Sequence, residues 1–199
     1  MVVKTKKEPT NGVSQIVTPP APIKLDIGCG PNPKDGFEGV DQYPFDGKVK
    51  HVLDIRKGLS KWKDGTVEEV HCSHFLEHLN AVERCHFLNE LYRVMKPGAK
   101  AMIVVPHWAS CRAYGDPTHA WPPISEFFWY YLDRVWRAGN APHADKKVWA
   151  DGYDCDFLAT WGYSMHPSIV SRSQDFQQFA MQNYKESCMD TICTLTKSA

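Results

Sequence analysis

The stretch that most constrains this 199-residue chain runs from Ile23 to Pro33 and reads I-K-L-D-I-G-C-G-P-N-P. A β-prone run ends in the loop Gly28-Cys29-Gly30, with Asp26 just before it. Two glycines separated by one residue let the backbone turn sharply and approach a ligand where a Cβ atom would intrude, and we expect the Asp26 carboxylate to face that ligand. Cofactors of the nucleotide type bind at such strand-to-loop crevices in open α/β sheets. The stretch therefore predicts an α/β fold with a cofactor site after its first strand.

Composition and charge narrow the class of protein. Hydrophobic residues make up 43% and charged residues 23% of the chain, as in an ordinary globular domain. The formal net charge is zero, so there is no general basic field for phosphates, and nucleic acid is not the favoured partner. The seven cysteines lack metal-finger spacing, and we interpret them as reduced, mostly buried thiols. With no membrane-length apolar run and no signal-peptide core, we expect a cytoplasmic protein.

Three further strands are predicted after the glycine loop, over residues 37–40, 49–55 and 67–73. Each is followed by or ends in a polar residue: Asp41, Asp54 and Ser73. Because the carboxyl ends of parallel strands meet at one edge of a sheet, these groups are expected beside the glycine loop, where ligands bind. The stretch between Gly30 and Asp41 is too short for a full crossover helix, so at most one or two helical turns are expected there.

The second half of the chain alternates helices and strands. A helix is predicted to begin after Asn80, with Glu83 completing a capping box, and to end before Lys96-Pro97-Gly98. The side chains expected on its core face are Val82, Phe87, Leu88, Leu91 and Val94. A buried strand over 101–105, a helix from Ser125 to about Ala138, a polar loop over 139–156, strands over 157–165 and 189–196, and a helix over 174–183 complete the prediction.

Five motifs, in this order, resemble those of the class I S-adenosylmethionine-dependent methyltransferases. They are L-D-I-G-C-G-P at 25–31, G-V-D at 39–41, V-L-D-I at 52–55, S-H-F-L-E-H-L at 73–79 and L-Y-R-V-M-K-P-G-A at 91–99. The resemblance covers about residues 23–107. It implies a Rossmann-like three-layer α/β sandwich with a mostly parallel seven-stranded sheet and an antiparallel C-terminal strand. It also implies S-adenosyl-L-methionine as the cofactor and methyl transfer as the activity. The first crossover is shorter than is usual in that family.

The resemblance carries specific roles onto this sequence. It implies that Gly28, Cys29 and Gly30 contact the methionine part of the cofactor, with Asp26 near its amine. It places Asp41 and Gln42 at the ribose, Asp54 and Ile55 at the adenine, and Ser73 near the sulfonium. No metal ligands are implied.

Candidates for the catalytic groups follow the fifth strand. His107 comes directly after that strand, and Asp116 and His119 lie in the sequence D-P-T-H. A histidine near its usual pKa can deprotonate an attacking amine or hydroxyl, and His74 is a weaker candidate for the same role. A role confined to hydrogen bonding within the loop remains open for His107 and His119. The aromatic residues of the segment 108–156 favour a lid or substrate insertion, with some of them in the core.

The predicted organisation is a flexible tail over residues 1–22 and one methyltransferase domain over residues 23–199. The acceptor is expected to be a small molecule, with no membrane partner, whereas the acceptor atom and the oligomeric state are left open.

Three alternatives remain beside methyl transfer. A dinucleotide-binding oxidoreductase would need a third glycine where this chain has Pro33. The sequence H-F-L-E-H at 74–78 matches the H-x-x-E-H pattern of some zinc hydrolases, although a strand is predicted directly before it. The third alternative is a cofactor-binding or partner-binding module that retains the fold without catalysis.

Overall fold

The computed structural model of the protein describes residues 21–198. Residues 1–20 of the predicted tail lie outside the described residues. The strands form one seven-stranded sheet in the order β3-β2-β1-β4-β5-β7-β6. They are β1 (Ile23–Ile27), β2 (Glu38–Asp41), β3 (His51–Val52), β4 (Val67–Ser73), β5 (Met95–Pro106), β6 (Phe157–Met165) and β7 (Cys188–Lys197). The helices are α1 (Ala81–Val94), α2 (Arg112–Gly115), α3 (Glu126–Tyr130), α4 (Arg134–Asn140), α5 (Pro167–Val170) and α6 (Gln174–Asn183).

The first five strands are parallel, as their apolar patterns predict. β1 lies between β2 and β4, with Leu25 beside Glu38 on one side and Val70 on the other. β7 runs antiparallel to both β5 and β6. The predicted seven-stranded, mostly parallel sheet with an antiparallel last strand is therefore confirmed, and β1, β2 and β4 end side by side at one edge.

Helix α1 forms where the capping box predicts it. The Asn80 side chain accepts a hydrogen bond from the Glu83 amide at 3.0 Å, and the Glu83 carboxylate accepts one from the Asn80 amide at 2.9 Å. Four of the five side chains expected on its core face are buried, namely Phe87, Leu88, Leu91 and Val94. The expectation for Val82 was wrong, because it lies in the first turn and is 44% exposed.

Three predicted elements differ in extent. The strand predicted over 101–105 is longer, since β5 begins at Met95. The third strand is confined to His51 and Val52 instead of residues 49–55, and Asp54 instead caps a 3₁₀ turn by accepting a hydrogen bond from the Arg56 amide. The single helix predicted to begin near Ser125 is divided into α3 and α4. The break leaves the Leu132 carbonyl free to accept a hydrogen bond from Phe157 at the start of β6, at 2.9 Å, and lets Asp133 cap α4.

The helical layers on the two faces of the sheet are unequal. The buried side chains of α1 and α3 share one hydrophobic core with the strands. On the opposite face Met102, Leu158 and Ile192 are 41%, 62% and 37% exposed. The third layer of the expected sandwich is reduced to loops in the part of the chain that the structure describes, because no α-helix connects β1 to β2 or β2 to β3.

Two other expectations concern cysteines and membranes. Five of the seven cysteines are buried, as predicted, whereas Cys29 is half-buried and Cys111 is exposed.

Among the described residues, no helix combines the length and the apolar character needed to cross a bilayer.

The segment between β3 and β4 is anchored to α1 by Glu90. Its carboxylate receives two hydrogen bonds from Arg93, both at 2.7 Å, and a third from the Leu59 amide at 2.9 Å. The hydrogen bonds from Arg93 and from the Leu59 amide outweigh partial burial and lower the pKa of Glu90 below its ordinary value of 4.5.

We therefore expect the stabilisation by Glu90 to depend on pH. A carboxylate with a lowered pKa in the folded state stabilises fully above its ordinary pKa and loses that contribution as the pH falls through the lowered value. Glu90→Gln should reduce the free energy of unfolding by about 1–2 kcal/mol at neutral pH, and this difference should shrink on acidification. Urea unfolding from neutral to acidic pH measures it. Glu69→Gln, at the exposed pair with Lys24, is the matched control and should show little difference at any pH. A Glu90→Gln difference that stays constant as the pH falls would contradict this.

Candidate active site

The first cleft lies at the carboxyl ends of β1, β2 and β4. It has a volume of ≈ 470 Å³, within the range of small-molecule sites. Five of the nine predicted cofactor residues line it, namely Gly28, Asp41, Gln42, Asp54 and Ile55. The strand-end pattern read from the sequence therefore brings these residues to one site.

The glycine loop is tied to β2 through its backbone. The Gly28 amide donates a hydrogen bond to the Val40 carbonyl at 2.9 Å, and Gly28 has a φ of +67°. A Cβ atom at this position would lie 2.7 Å from the Cβ atom of Phe75. Gly28 is thus required both by the left-handed backbone and by the close approach of Phe75, which itself lines the cleft.

Asp41 connects the loop to the end of β2. One carboxylate oxygen accepts a hydrogen bond from the Gly30 amide at 3.0 Å, and the other accepts one from the Tyr43 amide at 3.0 Å. Each oxygen keeps a further lone pair, so the carboxylate can accept hydroxyl groups from a ligand in the cleft.

Asp54 forms the far side of the cleft with Arg56. The guanidinium donates hydrogen bonds to both carboxylate oxygens, at 2.9 and 3.1 Å, and these lower the pKa of Asp54. Arg56 also approaches the Gln42 side chain at 3.5 Å. On this side of the cleft, Asp54 therefore offers an ionised carboxylate and Arg56 offers hydrogen-bond donors to a ligand.

Asp26 is buried outside the first cleft. Its side chain is 4% exposed and does not line the cleft. It accepts a hydrogen bond from the Lys34 amide at 2.8 Å and contacts His71 Nδ1 at 2.6 Å. Asp26 therefore holds the segment that follows the glycine loop, at Lys34, and contacts His71 of β4, and the expectation that its carboxylate faces the ligand is corrected.

Three other predicted residues, Cys29, Gly30 and Ser73, also lie outside the cleft lining. Burial, together with the nearby carboxylates of Asp26 and Asp41, raises the pKa of Cys29 to about 11, so its thiol stays protonated at neutral pH. Gly30 acts through the hydrogen bond of its amide to Asp41. Ser73 is the half-buried last residue of β4.

A second cleft of ≈ 670 Å³ adjoins the first. Both are lined by His74 and His78, and the second also contains Glu77, Asp116 and His119. His74 has a φ of +54°, unusual for a residue other than glycine, and its Nδ1 atom lies 3.2 Å from the Glu77 carboxylate. That hydrogen bond raises the pKa of His74. Two of the predicted catalytic candidates, Asp116 and His119, therefore lie next to the first cleft.

The expectation for His107 is corrected. Its side chain is buried and lines neither cleft. Its Nε2 atom donates to Glu126 at 3.0 Å, and its Nδ1 atom accepts from the Ala109 amide at 3.2 Å. Both ring nitrogens are occupied, so His107 holds the start of the insertion in place and is not positioned to act as a base.

The insertion 108–156 contributes little to the first cleft. Among the described residues, Thr118 is the one member of the insertion that lines it. Trp129 is fully buried in the core, and Tyr130 contacts Trp161 of β6 with ring centroids 5.4 Å apart. Trp129 and Tyr130 thus pack away from the first cleft, whereas residues 111–119 of the insertion supply the side chains that border the two clefts.

The sequence reasoning missed Phe75 and Thr118. Phe75 lies inside the quoted S-H-F-L-E-H-L motif, so its position after β4 was a usable signal. Thr118 is 40 positions from His78, whose Nδ1 atom its hydroxyl contacts at 3.0 Å. No sequence pattern indicates that contact.

Comparison with solved structures decides the fold. A SAM-dependent methyltransferase from Archaeoglobus fulgidus superimposes with a TM-score of 0.59 at 20% identity, over 88% of this chain and 86% of that protein. The chain has the fold of the class I methyltransferases. The N-methyltransferase NodS from Bradyrhizobium japonicum WM9, solved with S-adenosyl-L-homocysteine, superimposes with a TM-score of 0.52 at 10% identity, over 89% of this chain and 79% of that protein.

Comparison by sequence gave no match, either with family models or with curated proteins. The likeness to known methyltransferases therefore rests on the fold and on the motifs quoted above. Within the methyltransferase fold, this chain has a direct loop between β1 and β2 where the sequence already predicted a shortened crossover. The order and direction of its strands are unaffected by that shortening.

Proposed function

We propose that this protein binds S-adenosyl-L-methionine in the first cleft and transfers its methyl group to a small-molecule acceptor. The observation that carries the proposal is the cleft itself, in which Gly28, Asp41 and Asp54 converge at the carboxyl edge of a methyltransferase-fold sheet. The sequence resemblance and the structural neighbour solved with S-adenosyl-L-homocysteine support the same cofactor.

The cleft offers a separate group for each part of this cofactor. Asp41, with Gln42 beside it, would accept the ribose hydroxyls, and Asp54 with the Ile55 amide would hold the adenine. The loop at Gly28 would lie against the methionine part. Cys29 and Gly30 would support that loop, Asp26 would act indirectly through it, and Ser73 would lie near the sulfonium end.

The bound cofactor would supply an electrophilic methyl group, and the protein would align an acceptor with it. The junction of the two clefts at His74 and His78 is where an acceptor can reach that group. Alignment of the nucleophile and exclusion of water account for much of the acceleration that such a site can provide. His119, with Asp116 nearby, and His74 are the base candidates that the geometry leaves, since His107 is buried.

Two properties favour a small acceptor. The chain has no net charge and thus no general affinity for nucleic-acid phosphates. The second cleft has a volume of ≈ 670 Å³, which suits a molecule of ordinary metabolite size.

Calorimetry with S-adenosyl-L-methionine and S-adenosyl-L-homocysteine tests the cofactor assignment. We expect both to bind the wild type at one site, and Asp41→Ala to weaken binding by roughly 10- to 100-fold through the loss of charge-assisted hydrogen bonds. Asp151→Ala, at an exposed aspartate that does not line the cleft, is the matched control and should bind like the wild type. Thermal unfolding of each variant checks that it is folded. Folded wild-type protein that binds neither ligand would refute the proposal.

Turnover then separates catalysis from binding alone. Release of S-adenosyl-L-homocysteine in the presence of an oxygen or nitrogen nucleophile from a small-molecule panel is the expected result. Cofactor binding with no turnover by any acceptor would instead support the non-catalytic module.

A further inference from the structure

Three side chains with metal-ligating atoms meet at the boundary of the two clefts. One ligand atom each from Glu77, His78 and His119 lies within 4.8 Å of the other two. The His78 and His119 rings are edge to face, with centroids 4.8 Å apart. Two imidazoles and one carboxylate are a common ligand set for divalent transition metals.

The two segments that carry these groups are fixed against each other. The Ala120 amide donates a hydrogen bond to the Glu77 carbonyl at 2.8 Å. The buried Arg84 guanidinium donates to the carbonyls of both residues, at 3.4 Å to Glu77 and 3.1 Å to Ala120. These hydrogen bonds to backbone groups fix the position of the cluster's two segments relative to each other.

Hydrogen bonds at the far sides of the rings set both histidine tautomers. Thr118 donates its hydroxyl proton to Asp116 at 2.7 Å, so it accepts a hydrogen bond from His78 Nδ1 at 3.0 Å. His119 Nδ1 donates to the Ala113 carbonyl at 3.3 Å. Each ring thus keeps its Nε2 lone pair for another partner, the arrangement that orients metal-bound histidines.

Glu77 provides an independent observation that points to a ligand. Its side chain is 5% exposed, and one carboxylate oxygen faces His74 while the other, Oε2, is buried without a hydrogen-bond partner among the described residues. A buried carboxylate oxygen without a donor is costly, and a cation at this point would satisfy it.

The geometry points to a binding site for a divalent transition-metal ion formed by Glu77, His78 and His119. Three protein ligands leave positions open for water or substrate. The H-x-x-E-H interpretation is thereby revised: Glu77 and His78 belong to the cluster, but the second histidine is His119, while His74 hydrogen-bonds to Glu77. Arg112 also lines this cleft, and its charge is paired with Asp190 at 3.0 Å.

A metal ion at this site would also bind the methyl acceptor, an inference that rests on the proposed function. The site adjoins the cofactor cleft through His78 and Thr118. An ion with open positions would hold an acceptor through an oxygen donor, such as a hydroxyl or carboxylate group, next to the transferable methyl group. With His119 bound to the metal, His74 is the base candidate that remains.

Titration of Co²⁺ into untagged, metal-stripped protein tests the site without any cofactor. We expect one equivalent to bind, with the visible absorption of Co²⁺ held by nitrogen and oxygen ligands, and Zn²⁺ to displace it. His78→Ala and His119→Ala should each weaken Co²⁺ binding at least tenfold. Thr118→Val, which removes the hydroxyl that contacts both His78 and Asp116 but keeps all three ligands, should weaken it by about tenfold.

His86→Ala is the matched control, because His86 is exposed on α1 and outside the cluster. Thermal unfolding without metal shows which variants are folded. Failure of folded wild-type protein to bind Co²⁺ or Zn²⁺ would overturn the inference, as would binding that survives in both histidine variants or a cobalt–thiolate absorption band. Binding of S-adenosyl-L-homocysteine to the metal-stripped protein is measured separately, so failure of the metal site and failure of the cofactor proposal are distinguishable.

Discussion

Replacing Gly28 with alanine should lower the free energy of unfolding by about 2–4 kcal/mol and abolish cofactor binding. The left-handed backbone at φ +67° accounts for about 1 kcal/mol of this loss. The larger part comes from the new Cβ atom, which would lie 2.7–2.8 Å from three carbons of Phe75. Phe75 cannot withdraw easily, because its ring packs against the buried Phe87 with centroids 5.5 Å apart.

Gly30→Ala is the matched control for this substitution. Gly30 has a similar φ of +57°, but a Cβ atom there would meet no heavy atom within 4 Å. It should therefore lose only about 1 kcal/mol, from backbone strain. Urea unfolding measures both variants, and calorimetry measures ligand binding by whichever remains folded. Equal losses at the two glycines would show that Phe75 does not restrict this position.

Replacing Arg84 with methionine should destabilise the protein by about 3 kcal/mol. Arg84 is 3% exposed, and its guanidinium donates hydrogen bonds to four backbone carbonyls. These belong to Leu76, Glu77, Ala120 and Pro122. Burial lowers the pKa of Arg84, which reflects the cost of desolvating the charge, yet methionine would leave these carbonyls without their donor.

The same substitution should loosen the junction between the two clefts. Arg84 bridges the segment after β4 to the segment before α3, so Co²⁺ binding should weaken even where the variant remains folded. Arg172→Met, at an exposed arginine outside the core, should change the free energy of unfolding by no more than about 0.5 kcal/mol. Chemical unfolding and Co²⁺ titration of both variants provide the measurements. An Arg84→Met protein as stable as the wild type would show that this guanidinium is not needed to hold the two segments.

The residues of the first cleft could be predicted from local sequence patterns, whereas the accessibility of the side chains beside it could not. Gly28, Asp41 and Asp54 come together because each lies at or just after the end of a parallel strand, and the strand order brings these ends together. His107 follows a strand in the same way, but Glu126 and the Ala109 amide occupy its ring nitrogens. Position at a strand end predicts proximity to the site, whereas access to the site depends on which partners surround the side chain.

Elements that depend on local interactions could be predicted from the sequence. The β-prone run before the glycine loop predicted β1, the strands predicted over 67–73 and 157–165 match β4 and β6, and the capping box at Asn80 predicted the start of α1 within its own turn. Tertiary structure decided what depends on contacts between distant segments. The contact of Asp26 with His71, the division of α3 from α4 and the meeting of Glu77 with His119 all require side chains or carbonyls brought together by folding. Hydrogen bonds over such separations have no periodicity along the chain, and therefore only the folded structure reveals them.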